Sequence, residues 1–139
     1  QELDKVWGLV DKDIRQALSY SSQLTDSEFV LETAKENKFQ IWILWDESQK
    51  KPVDKYFGVV VTELITRKFG KVCHIYIMTG KQRHKWQYLI KDIEEFAKQN
   101  DCQMMELIAR PGWQKVLNNF GYKRTHVVLE KKIKQEEIE

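Results

Sequence analysis

The sequence predicts an α/β domain, a mixed and mostly antiparallel central sheet flanked by helices. Three observations lead there. Apolar residues recur at helical spacing near the start of the chain and again after Trp86. Short β-branched and aromatic runs, bounded by polar residues, separate those stretches. Two of the runs flank Arg67-Lys68-Phe69-Gly70, a tight turn that makes them an antiparallel hairpin.

Each element has its own signal. Leu3, Val6, Trp7, Val10, Ile14, Ala17 and Leu18 mark a helix over about residues 2 to 20, which Ser19, Ser21 and Ser22 end. Thr25-Asp26-Ser27-Glu28 has the form of a capping box, with Thr25 as the cap and Glu28 three residues on. A second short helix should run to about Asn37. Phe39 to Trp45 reads as the first strand, and Asp46 to Asp54, with Pro52, as a loop. Tyr56 to Thr66 and Val72 to Met78 are the hairpin strands. Trp86, Leu89, Ile90, Ile93, Phe96 and Ala97 define a long helix to about Asn100. Met104 to Ala109 is a fourth strand. Pro111 suits the first turn of a short helix that Gly121 ends, with Trp113, Val116 and Leu117 as its apolar face. Thr125 to Leu129 reads as a fifth strand. The order is ααβββαβαβ, and strand-helix-strand after a hairpin implies a mixed sheet.

Composition narrows the function classes. The chain has 139 residues, 42% hydrophobic and 32% charged, which suits one domain over residues 1–133 with a charged tail over 134–139. The net charge of +2 is too small to argue for nucleic acid or an anionic membrane. No apolar run reaches the roughly 20 residues that span a bilayer. The charged, amphipathic start is not a secretory leader, and a first residue of Gln1 points to residues upstream. Cys73 and Cys102 stand alone, as in a reducing compartment. No His/Cys/Asp spacing suggests a metal.

The element order resembles the acyl-CoA N-acyltransferase superfamily, the GNAT fold. Local residues carry the likeness. Asp92 to Cys102 resembles the family's long-helix end. Arg110-Pro111-Gly112-Trp113, then Leu117 and Phe120-Gly121-Tyr122, resembles its short helix, and Val127 to Lys131 its last strand. Gly80, Trp86, Leu89, Ile93-Glu94 and Ala97 complete a pattern similar to that of small GNAT-like proteins encoded by tailed phages and prophages. The likeness covers roughly residues 39 to 133. It implies the GNAT-like fold and an acetyl-CoA site between hairpin and long helix.

In that family, Gln/Arg-x-x-Gly-x-Gly/Ala precedes the long helix. Backbone N–H groups and the helix N-terminus hold a pyrophosphate there, and glycines let the main chain come close. In this chain the pattern falls on Lys81-Gln82-Arg83-His84-Lys85-Trp86, inside the stretch TGKQRHKW. Lys81 keeps the cation, whereas His84 and Trp86 stand where small residues should be. Two readings follow. Trp86 is the first core residue of the helix, and the basic residues form a solvated rim. Alternatively, Ile77, Met78, Thr79, Gly80, Lys81, Arg83, His84 and Lys85 form a rebuilt phosphate site. Direct nucleic-acid contact is a third reading, resting only on the short basic run.

Acid and base positions depart from the family as well. Leu117 stands where many members have the tyrosine that protonates the leaving thiolate, and Arg110 stands where an asparagine is common. Glu63, His74 and Tyr76 on the hairpin are the candidate bases, Glu63 and His74 first and His126 last. A buried Glu63 would have a raised pKa and accept a proton, while alternation equally allows it to face solvent. Trp113 is a packing anchor or, with Arg110 and Tyr122, lines the cleft where a ligand sits in this fold. Trp7, Trp42 and Trp45 belong to the core or to a self-association face. The leading expectation is a phage-type protein with a degenerate acetyl-CoA loop, serving as an accessory or virion-associated component in the bacterial cytoplasm. It would act through a protein partner or self-association. The competing expectation is an N-acetyltransferase that uses acetyl-CoA through the rearranged loop, with Glu63 as base.

Overall fold

The computed structural model describes residues 2–19, 25–51, 55–81, 85–108, 112–131 and 133. The chain divides into two compact units, Gln1–Ala109 and Arg110–Glu139. The first unit holds α1 (Glu2–Ser19), α2 (Ser27–Lys35), β1 (Phe39–Trp45), β2 (Tyr56–Arg67), β3 (Gly70–Gly80), α3 (Gln87–Gln99) and β4 (Met104–Leu107). The second holds α4 (Gly112–Asn118).

Its sheet has the order β1-β2-β3-β4, antiparallel up to β3 and parallel from β3 to β4. The predicted hairpin is present, with Arg67 opposite Gly70 across the exposed Lys68-Phe69 turn. The register shifts between Val61 and Thr62, whose β3 partners are Ile77 and Ile75, so Tyr76 is the extra residue of a bulge. Among the described residues, parallel pairing runs from Val72 opposite Met104 to Ile75 opposite Leu107, while β3 continues to Gly80.

β2 is buried continuously from Phe57 to Thr62 and β3 from Val72 to Ile75, so side chains on both faces are covered there. On one face, Val10, Ile14 and Leu18 of α1 and Val30 and Ala34 of α2 pack with Phe39, Val59, Val61 and Ile77. Trp7 is half-buried against this cluster. The intervening β1 residue Trp42 points the other way, toward α3, where its ring meets Phe96 edge-on at 5.3 Å. The hydroxyl of fully buried Thr62 accepts from Trp42 Nε1 at 3.0 Å and donates to Gln40 Oε1 at 2.9 Å. A polar side chain in the core is thereby satisfied in both roles. Trp45 at the strand end is 39% exposed, so it is not core.

Helix ends share one device. Asn37, Asp101 and Gly121 all have positive φ, at 62°, 63° and 88°. In each case the next N–H reaches back to the carbonyl five residues before it: Lys38 to Thr33, Cys102 to Ala97 and Tyr122 to Leu117. Two expectations need correction. The cap of α2 is Asp26 rather than Thr25: its carboxylate accepts from Phe29 N–H at 2.9 Å, a shorter route than a box closed by Glu28. Thr125 to Leu129 form no strand, and Val127, Val128 and Leu129 are 60%, 56% and 89% exposed. Strand propensity expresses fit to a half-buried pleated surface, and among the described residues this segment has no ladder partner.

Candidate functional site

The end of β3 and the start of α3 bring Thr79, Gly80, Lys81 and Trp86 against β2. Gly58 and Gly80 are register partners, and Lys81 N–H donates to Phe57 O at 2.7 Å, closing the hairpin end. Into this end goes the indole of Trp86, fully buried, with Nε1 donating to the Lys81 carbonyl at 2.9 Å. A Cβ at Gly58 would lie 2.6 Å from Trp86 Cζ2, and one at Gly80 would lie 2.8 Å from the same atom. Gly80 also has φ of +155° and sits 2.4 Å, by its hypothetical Cβ, from the Phe57 carbonyl. Both glycines therefore make room for an indole and a tightly closed hairpin.

The flanking cations have separate fates. Lys85 donates to Asp46 Oδ2 at 2.9 Å and lies 5.8 Å from the centre of the Phe57 ring. Asp46 is itself a hub of the β1–β2 loop, accepting from Ser48 N–H and from the Ser48 hydroxyl. The Ser48 hydroxyl first, then the Lys85 ammonium, hold the Asp46 carboxyl well below the usual carboxylate range. Lys81 is exposed, with its backbone rather than its charge engaged in the hairpin end. Arg83 and His84 lie outside the described residues. Trp86 occupies the cap position of α3 with no side-chain capping bond, and the first turn carries no acidic residue. Ile77 and Met78 are buried, and Thr79 and Gly80 are half-buried, on the part of β3 beyond its pairing with β4.

The hairpin's candidate bases fall into one row. Glu63 of β2 is opposite His74 of β3, which is opposite Glu106 of β4. Residues opposite one another share a face, and for Glu63 it is the face of Val59 and Val61 under α1 and α2. Glu63 is half-buried and His74 is buried. His74 Nδ1 lies 2.9 Å from Glu106 Oε1. Arg67 grips the same carboxylate through two bonds, Nη1 to Oε2 at 2.7 Å and Nη2 to Oε1 at 2.9 Å. The hydrogen bond from Arg67 is the main cause that lowers the Glu106 pKa; the bond from His74 adds to it against some burial. Tyr76, at the bulge, packs on Phe39 at 5.1 Å, and burial raises its phenol pKa. Neither Arg67 nor Glu106 was singled out from sequence. The available signal was one carboxylate inside the apolar run Met104-Met105-Glu106-Leu107-Ile108.

Arg110 lies outside the described residues. Trp113 is buried with Leu117 on α4, and Tyr122 is half-buried after it. His126 is exposed and bonds Thr125 next to it at 2.8 Å. Among the described residues no group of three or more His, Cys, Asp and Glu could hold a metal, and no helix is long and apolar enough to cross a membrane.

This GNAT-like fold is that of solved acetyltransferases. The crystal structure of a probable acetyltransferase superposes with a TM-score of 0.70 at 10% identity, over 96% of this chain and 94% of that one. A Trypanosoma brucei acetyltransferase gives 0.64 at 13% identity, over 96% and 95%. A structure described as a "predicted acetyltransferase with acetyl-CoA", from Clostridium acetobutylicum, gives 0.63 at 16% identity, over 94% and 91%. At these identities the likeness concerns the fold. No protein-family model matches the sequence, and no curated protein matches it.

Proposed function

We propose that this chain is a GNAT-fold protein whose acetyl-CoA loop has been converted into a packing element, and that it serves as a binding component. Trp86 carries this reading. Its indole stands where the family pattern has a small residue, and it fills the hairpin end against Gly58 and Gly80. Lys85, the cation nearest the helix start, is committed to Asp46. The likeness of Arg110-Pro111-Gly112-Trp113, Gly121-Tyr122 and Val127 to Lys131 to small phage-encoded proteins supports an accessory, virion-associated role with a protein partner or a second copy. Residues 1–133 act as one domain in this reading.

A second reading is favoured by a different observation. β3 runs on through the Tyr76 bulge to Gly80, and among the described residues Ile77 to Gly80 have no β4 partner, with His74 and Glu106 just before them. An acyl thioester could bind the main chain there, with Lys81 and Arg83 near its phosphates and Glu63 or His74 as base. Calorimetric titration with acetyl-CoA separates the two. No heat and no thermal shift at millimolar ligand supports the packing reading, because a ligand of the native state must raise its stability. Micromolar binding that Lys81→Ala/Arg83→Ala removes overturns it in favour of the second.

A further inference from the structure

We propose that Arg67 and Glu106 are positioning residues for His74, and that they select Nε2 as the nitrogen that takes a proton from an amine where β3 and β4 part. The inference rests on the acyl-transfer reading and adds two residues to it. An ionised carboxylate can only accept, so the nitrogen 2.9 Å from Glu106 must donate. That nitrogen is Nδ1, so the neutral ring keeps its proton there and its lone pair at Nε2. Arg67 makes the arrangement rigid. Its two bonds, at 2.7 and 2.9 Å, fix the plane of the Glu106 carboxylate, and the guanidinium keeps it ionised.

Placement supports the same role. The three residues come from β2, β3 and β4, so two ladders set their spacing. His74 precedes Ile75, the last β3 residue paired with β4, and the bulge at Tyr76 follows. Bulges re-aim side chains and end pairing next to reactive sites. Glu63, on the other side of His74, gives the row a second carboxylate at the position opposite it. In the step, the amine nitrogen bonds the acyl carbon of a thioester and the C–S bond breaks. The amine's proton goes to Nε2, and His74 returns it to the departing thiolate.

The test begins with the unmodified protein. Nitrogen-15 spectra of the histidine rings at neutral pH should show His74 protonated at Nδ1 and bare at Nε2. The opposite tautomer overturns the proposal, whether or not any variant folds. Glu106→Ala should lose the single tautomer. Arg67→Ala should move the Glu106 carboxyl titration upward, since Arg67 is the main cause of its depression. With acetyl-CoA and an amine acceptor, either variant should lower kcat by roughly 10²-fold, the low end for a general base, with KM for acetyl-CoA unchanged. An unchanged kcat overturns the proposal. Absence of acetyl-CoA binding in the unmodified protein overturns the acyl-transfer reading, and with it the catalytic use of a pair that the spectra still detect.

Discussion

Gly58→Ala tests the assignment of the hairpin-end glycines to Trp86. Gly58 sits mid-ladder, opposite Leu44 and Gly80, and its φ is not positive, so alanine is locally allowed. The added methyl would lie 2.6 Å from Trp86 Cζ2, 3.3 Å from Cη2 and 3.1 Å from the Thr79 carbonyl. The first contact requires the fully buried indole to move. Overpacking of this kind costs about 1–3 kcal/mol. Replacing a strand glycine returns about 0.5–1 kcal/mol by restricting the unfolded chain. The net expectation is a loss of about 1–2 kcal/mol, or a Tm lowered by roughly 3–7 °C for a chain of this size. Urea unfolding followed by tryptophan fluorescence reads it directly. The decisive comparison repeats the change in a Trp86→Leu background. There the clash with the ring is absent, and Gly58→Ala should be close to neutral, a coupling of about 1–2 kcal/mol. Equal costs in both backgrounds would falsify the account, because the glycine would then serve something other than the indole.

Three further outcomes follow from the contacts. Asp46→Asn should flatten the stability profile at acid pH: the folded carboxyl is depressed, so its contribution is present above its ordinary value near about 4 and lost as pH falls below it, which thermal scans from pH 5 to 2 would show. Thr62→Val keeps the shape of a fully buried side chain but strands Trp42 Nε1 and Gln40 Oε1, and should cost about 1–3 kcal/mol in denaturant unfolding. Cys73 is buried, and burial pushes its thiol up to about 11, so a disulfide-exchange reagent at pH 8 should modify Cys102 first and reach Cys73 only on unfolding.

The hairpin, the long helix and the flanking helices were legible because each carries its own period and punctuation. Val59 to Thr62 is an unbroken β-branched run, Gly70 closes the turn, and Ile90, Ile93 and Ala97 fall on one face. The fifth strand misled for a physical reason. Val127 and Val128 suit a pleated surface, but a strand exists only with a partner, and no propensity reveals whether one is adjacent. The Arg67–Glu106 grip was illegible for a related reason: the residues are 39 apart in sequence and meet only because β3 lies between β2 and β4. His74 drew attention as a rare titratable residue in a strand, yet its partners required the parallel register.

Gly80 shows how one residue supports two opposed readings until its neighbours are placed. In TGKQRHKW it is one of the residues of the rebuilt phosphate site read from the sequence, and three cations follow. Its hypothetical Cβ meets the Phe57 carbonyl, Gly58 Cα and Trp86 Cζ2 within 2.8 Å, so all the space that its missing side chain leaves is already used by protein. A cradle for a pyrophosphate needs the opposite, open room beside exposed N–H groups. Lys81 N–H is spent on Phe57 and the Lys81 carbonyl accepts from Trp86, which engages both main-chain groups of that residue within the protein. Any acyl-CoA bound by this chain must therefore take its phosphate contacts from side chains or from residues between Lys81 and Lys85, and salt should weaken such binding more steeply than it weakens a backbone-held pyrophosphate.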